Sequence, residues 1–288
     1  MNLHDSILEN IFFANDVHTV EKKQEYLHFL REELSKLRRS YKQNDIHVDY
    51  GNNATQEAYL LGYFPHHYQV IQDICQAETQ TQIDPLNVVC IGGGPLPELL
   101  GILRAIQAKP TQIQITIFDK FADQWQHSHR ILSGIFRENA GSDCELKISQ
   151  SKFDLRDKNN VFRETPVEQR GLLKDSDIII FQNFLSETDR TNDVQKNIYH
   201  LMNYWADKKG TLIAFADLLG YRIKELFENI RTTLTDFDLV EFKSETVSGS
   251  IKSREAPTDF LMNEFFAERD YLRPRRNIKF CKLVGRRS

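Results

Sequence analysis

No run of apolar residues in this chain reaches the length a membrane-crossing helix needs, so no membrane partner is expected. The start, Met1-Asn2-Leu3-His4-Asp5, lacks the basic opening of a signal peptide, and a cytoplasmic protein is expected. Cysteine is scarce: Cys75, Cys90, Cys144 and Cys281 are scattered, with neither metal-ligand spacing nor a disulfide framework. Buried reduced thiols and no metal site follow from that. A strong charge of one sign is also missing, since the net charge is −4 with 27% charged and 40% apolar residues. That composition is ordinary for a soluble globular protein. At 288 residues, one large domain or one domain plus an extension fits, with length enough for a full core.

What is present is organised around Leu86-Asn87-Val88-Val89-Cys90-Ile91-Gly92-Gly93-Gly94-Pro95-Leu96-Pro97-Glu98. Its first half is a short apolar run rich in β-branched residues, the pattern of a strand buried on both faces. Three glycines then allow a sharp turn and a close approach by a ligand. Pro97 suits a first helical position, and Leu99, Leu100, Leu103 and Ile106 continue at helical spacing. Strand, glycine turn and helix make the first unit of a nucleotide-binding α/β domain.

The dinucleotide fingerprint places glycines at its first, third and sixth positions; Gly92 and Gly94 supply two and Pro97 holds the sixth. Pro95 and Pro97 both lack a backbone N–H at the helix start, where a pyrophosphate would collect donors. That argues against a nicotinamide dehydrogenase and for a cofactor with one carboxylate and a neutral adenosine. About 27 residues after Gly92, Gln114-Ile115-Thr116-Ile117-Phe118-Asp119 reads as a second strand ending in an acid at ribose-binding spacing.

This glycine turn, followed by an acid at the end of strand two, resembles the class I S-adenosylmethionine-dependent methyltransferases, in a divergent Gly-Gly-Gly-Pro-x-x-Glu branch. The resemblance covers roughly residues 84–288. It implies a Rossmann-like seven-stranded sheet with helices on both faces, preceded by an N-terminal helical extension, and S-adenosylmethionine as cofactor. It also implies that Gly92, Gly93 and Gly94 bear the methionine end, Asp119 the ribose and Asp154 the adenine, with Glu98 in indirect contact with the ammonium group. Pro95, Lys120, Asn183 and Phe184 complete the implied cofactor contacts.

Residues 1–83 read as helical. Leu27, Leu30, Leu34, Leu37 and Tyr41 form an apolar seam on a helix over about 19–43, whose basic residues are offset by glutamates. A second helix opens at Asn53 and should break near Phe64, because Pro65 restricts the residue before it. Tyr59-Leu60-Leu61-Gly62-Tyr63-Phe64-Pro65-His66-His67-Tyr68 is an aromatic-rich elbow. It is either a junction packed on the core or a cover for the cofactor, with Tyr63, His66 or Tyr68 lining the substrate pocket. Adjacent histidines cannot share one helix face, so a two-histidine metal site is not expected.

Later strands are read at 145–150, 177–181, 210–215, 239–242 and 278–284, separated by amphipathic helices. Strand four runs into Gln182-Asn183, which should project toward the transferred methyl group at the switch point of the sheet. Asn183 reads equally as a turn residue closing the strand. The resemblance's amino-methylating tetrapeptide, Asn or Asp followed by two prolines and an aromatic, is absent, which weighs against methylation of a base amino group. Asn183, Tyr63 and His66 stand as catalytic candidates, with Glu187 a further possible base.

The segment 248–276 is longer than a hairpin needs and is expected to form an insert over the active-site edge, with a helix over 258–268 that turns Phe260, Leu261 and Phe265 inward. Residues 269–288 carry eight basic side chains (Arg269, Arg273, Arg275, Arg276, Lys279, Lys282, Arg286, Arg287) against Asp270. Such a tail suggests RNA or an anionic metabolite as a partner, or else solvated ends around a buried strand. Two functions follow: methyl transfer to an unidentified small molecule, RNA or protein, or a non-catalytic S-adenosylmethionine-binding or scaffold protein that docks a partner.

Overall fold

The computed structural model describes residues 2–42, 48–78, 83–156, 167–187, 192–266, 272–274 and 276–288. Four helices come first: α1 Leu3–Ala14, α2 Val20–Ser40, α3 Asn53–Gly62 and α4 Phe64–Glu78. Asn2, Thr19 and Asn52 cap the first three by accepting N–H bonds from the opening turn. The expected break falls where Pro65 dictates it, with α3 ending at Gly62 and α4 beginning at Phe64. The seam on α2 is real: Leu27, Leu30, Leu34 and Leu37 are all fully or nearly fully buried. Each such leucine contributes on the order of 1.5–3 kcal/mol.

The α/β part follows as β1 Leu86–Ile91, α5 Pro97–Ala105, β2 Gln112–Asp119, α6 Gln126–Ala140, β3 Glu145–Lys152, α7 Val167–Lys174 and β4 Ile178–Gln182. It continues as α8 Asn192–Tyr204, β5 Leu212–Leu218, α9 Tyr221–Asp236, β6 Val240–Phe242, β7 Val247–Lys252, the short α10 Asp259–Leu261 and β8 Asn277–Arg287. The sheet order is β3-β2-β1-β4-β5-β8-β6, with β7 pairing the other half of β8. Strands β1 to β5 are parallel and β8 runs against them. This is the Rossmann-like sheet with helices on both faces that the sequence leads one to expect.

Period-two burial divides the molecule into layers. In β1, Val88 and Cys90 face one apolar cluster, while Val89 and Ile91 face the other. The first cluster is covered by α1 to α6, so the helices of residues 1–83 share a core with one face of the sheet. The second is covered by α8 and α9. Helices α4 and α5 approach closely at Gly101, where a Cβ would stand 2.6 Å from the Tyr68 carbonyl oxygen.

Two expectations need correction. Strand β7 was not anticipated: its sequence, Val247-Ser-Gly-Ser-Ile-Lys, is mostly exposed and carries no apolar run, and it forms because β8 offers an unpaired edge. The segment 248–276 also goes elsewhere than over the active-site edge. Phe265, Phe266 and Leu272 join the first core cluster, and Arg31 and His28 of α2 bond Asn263 and Glu264 in the π-helical turn Met262–Phe266. Glu255 bonds Tyr68 and Arg104. The insert is drawn to the helical extension because its aromatic residues find a buried face there. The part of the expected helix over 258–268 that lies beyond 266 falls outside the described residues.

Candidate functional site

The carboxyl ends of β1 to β4 open onto one cavity of about 930 Å³, counting space open to solvent. It lies where β1 has β2 on one side and β4 on the other, the switch point at which open α/β sheets bind ligands. Every cofactor position implied by the sequence lines it: Gly92, Gly93, Gly94, Pro95, Glu98, Asp119, Lys120, Asp154, Asn183 and Phe184.

The glycine loop is held from both sides. Gly92 donates its N–H to the Phe118 carbonyl at 2.7 Å, and Leu96 donates to the Gly93 carbonyl at 2.7 Å. Gly94 N–H donates to Asp119 Oδ2 at 3.1 Å, while the Gly94 carbonyl accepts from His129 Nε2 at 2.8 Å. Burial lowers the His129 pKa, which favours the neutral ring with its proton on that bond. No motif pointed to His129, which sits on α6 and props the loop from behind. Leu96 precedes α5 in the left-handed region, at φ 64°, and is fully buried, so its side chain anchors the turn in place of a polar cap.

Asp119 is buried at the end of β2, its other oxygen accepting from Phe121 N–H at 2.6 Å. Burial raises its pKa, the two backbone N–H groups work against that, and nearby Asp154 adds to the rise. Each oxygen keeps acceptor capacity on the cavity side. Glu98 lies in the first turn of α5, 1% exposed, with Oε2 buried and without a partner. Burial drives its pKa well above the usual carboxyl range, its own N–H opposing and Asp119 reinforcing.

Asp154 follows β3. Burial alone would raise its pKa, but the Arg156 guanidinium, bonded at 2.9 and 2.8 Å, brings it below the ordinary value. Lys120 approaches the same carboxylate at 4.0 Å. At the tip of β4, Asn183 adopts φ 54° with its Nδ2 buried and unbonded. Gln182 donates Nε2 to the His67 carbonyl at 2.6 Å, which leaves its buried Oε1 without a partner.

The helical extension supplies the remaining wall through Tyr50, Tyr59 and His67. Here the expected residues are corrected. Tyr63 stands behind the wall, its ring 5.4 Å from Tyr41 and 5.2 Å from Tyr59. His66 turns toward Ser253, 3.5 Å from its Nδ1, and Tyr68 bonds Glu255 at 2.6 Å and accepts from Arg104. The cause is helix phase: each residue advances about 100°, so once α4 starts at Phe64 it is His67 that faces the cavity. Tyr59 was visible as part of the aromatic elbow. Tyr50 lies between helices and carried no sequence signal. The Glu187 side chain falls outside the described residues.

The basic tail is partly committed inside the chain. Arg286 donates to the Gly210 and Glu78 carbonyls, and Arg287 to those of Ala206 and Leu239. Arg269 and Arg275 fall outside the described residues. Among the described residues no helix is long and apolar enough to cross a membrane.

No family model and no curated protein matches the sequence. Among solved structures the chain is similar to an O-methyltransferase family protein from Burkholderia thailandensis, at 14% identity, covering 93% of this chain and 71% of that one, with a TM-score of 0.45. It is similar to the CurJ carbon methyltransferase at 12% identity, covering 91% and 67%, with a TM-score of 0.46. It is also similar to the plantazolicin methyltransferase BpumL in complex with SAH, at 11% identity, covering 93% and 99%, with a TM-score of 0.39.

Proposed function

We propose that this chain is an S-adenosylmethionine-dependent methyltransferase. The observation that carries the reading is the floor of the cavity: Asp119, fixed by the N–H groups of Gly94 and Phe121, beside a buried Glu98 whose Oε2 has no partner. An ionised aspartate held in this way accepts the two hydroxyl hydrogen bonds of a ribose. A buried carboxylate oxygen without a donor suits an ammonium group, which an amino-acid tail brings and a nicotinamide dinucleotide does not. The prolines at 95 and 97 take two amide donors from the loop, which disfavours a diphosphate there.

The cofactor, when bound, supplies a methyl group on a positively charged sulfur. The chain's own residues have three tasks. Gly92 to Gly94, Glu98 and Asp119 orient the cofactor, with Phe121, Phe153 and Leu155 of the lining forming an apolar flank. Gln182 and Asn183 meet the acceptor at the end of β4. The wall of Tyr50, Tyr59 and His67 excludes water, which holds the reactants in line and prevents loss of the methyl group to solvent.

Calorimetry with S-adenosylmethionine and its demethylated product S-adenosylhomocysteine tests the reading. Binding of both, lost in Asp119→Ala, is expected, with NAD at least about a hundredfold weaker. Tight NAD binding, or no binding of either adenosyl ligand, overturns it. Labelled methyl transfer into fractionated lysate then separates an enzyme, which transfers label, from a non-catalytic binder, which does not.

A further inference from the structure

One wall of the cavity is an aromatic corner built by the helical extension on the sheet domain. Tyr50 stands 4.5 Å from Trp125 and 5.4 Å from Phe121. Tyr59 meets Tyr50 at 80° and Trp125 at 65°, edge to face, and all three rings line the cavity. Ring faces carry negative potential and attract cations.

The charges nearby have the same bias. The two cations of the lining, Lys120 and Arg156, both approach Asp154. Glu98 and Asp119 have no cationic side chain in ion-pair distance among the described residues. An anionic acceptor would therefore enter a site whose positive charges are already engaged on Asp154, whereas a cation would meet ring faces. One polar atom is left over beside the corner. Gln182 is fixed by its bond to the His67 carbonyl, and its buried Oε1, a pure acceptor, calls for an N–H or O–H donor.

We propose that the methyl acceptor is an amine, its N–H donated to Gln182 Oε1 and its cationic product lying against Tyr50, Tyr59 and Trp125. The inference rests on the methyl-transfer reading and names the substrate class of that site. The chemistry balances without a buried base. A neutral amine nitrogen forms the new N–C bond with its lone pair while the C–S bond breaks, and sulfur keeps the bonding electrons as a neutral thioether. Positive charge passes from sulfur to nitrogen, and the nitrogen's proton leaves later to water. An alcohol would have to surrender its proton to become nucleophilic and would end neutral, with no use for an electronegative corner.

The test titrates the full-length protein, saturated with S-adenosylhomocysteine, with choline, its neutral isostere 3,3-dimethylbutanol and the anion 3,3-dimethylbutyrate. Calorimetry reads affinity, and tryptophan fluorescence reports on Trp125 over the constant signal of Trp205, which lies in the second core cluster. Choline is expected to bind about tenfold or more tightly than the neutral isostere, with the anion weakest. Tyr50→Leu should abolish that preference, and Tyr50→Phe, which keeps the ring, should retain it. N,N-Dimethylaminoethanol, whose protonated nitrogen keeps one N–H, should outcompete choline in the native protein and not in Gln182→Met. Equal affinity for cation and neutral isostere, or preference for the anion, overturns the amine proposal alone. Failure of S-adenosylhomocysteine to bind overturns the methyl-transfer reading, and the amine proposal with it.

Discussion

The ring of Phe184 fills the place where a side chain on Gly92 would stand: a Cβ there would lie 2.4 Å from Phe184 Cγ. Gly92 also has φ +72°, so a larger residue is strained before it collides. The glycine thus admits the tip of β4 against the end of β1, and the cavity takes its shape from that contact. Gly92→Ala should cost about 1–3 kcal/mol in urea unfolding and displace Phe184 from the cavity wall. Gly134→Ala is the control. Gly134 lies inside α6 with nothing within 4 Å of an added Cβ, and the change should stabilise by about 0.5–1 kcal/mol. Equal effects at the two positions would contradict this account.

Asp217 in β5 is buried, with Oδ2 accepting Ser186 N–H at 2.9 Å and Oδ1 accepting Leu218 N–H at 2.7 Å. Burial raises its pKa from 3.8 to about 6, the N–H groups opposing only in part. The folded chain therefore holds this proton to higher pH than the unfolded chain does. Stability from this group is present below the unfolded value and is lost as pH rises through the folded one, roughly pH 4 to pH 6. Asp217→Asn removes the titration. The stability difference between variant and native protein should move in the variant's favour by up to about 3 kcal/mol between pH 4 and pH 7. A pH-independent difference would show that Asp217 titrates as an ordinary exposed acid.

The parts of this fold that were legible in the sequence are those where one physical preference dominates. β1 and β4 are buried on both faces, so their near-continuous apolar runs name them as strands of a parallel sheet. The floor of the cavity was legible because glycines, prolines and an acid at fixed spacing mark the turn that ends β1 and the tip of β2. The wall of Tyr50, Tyr59 and His67 was not, because it depends on assembly. Whether His66 or His67 faces the cavity is decided by one residue of helix phase, which composition does not carry. Tyr50 matters only because α3 and α6 bring it against Trp125, and β7 exists only because β8 leaves an edge open.

Glu57 joins the extension to the sheet domain. Its Oε1 lies 2.6 Å from His127 Nε2 and accepts from Asn15 at 2.8 Å, and its Oε2 accepts from Tyr26 at 2.6 Å. The C-cap of α1 and the helices α2, α3 and α6 therefore converge on one fully buried carboxylate. His127→Ala leaves that group short of a partner and should cost about 2–4 kcal/mol. Limited proteolysis should then cut the extension before the sheet domain. Native-like protease resistance in a destabilised variant would show that the two parts still unfold together.

Glu98 offers the sharpest check on the ammonium role. In the free protein burial raises the pKa of its carboxyl well above the ordinary value, with Asp119 as the acidic neighbour that adds to burial. An ammonium group arriving at Oε2 favours the ionised form, so binding lowers the raised pKa and expels whatever share of a proton the free carboxyl holds. At about pH 6.5 the ligand's own α-amino group already carries its charge and takes up little. Calorimetry of S-adenosylhomocysteine in buffers of different ionisation enthalpy should therefore show net proton release, and affinity should rise with pH toward the carboxyl's raised pKa. Glu98→Gln keeps the shape and removes the titration, so it should bind more weakly, release no proton and melt no lower than the native protein. Buffer-independent heat in the native protein would place the ammonium group elsewhere in the cavity, and Glu98 would then be only a buried acid at a helix start.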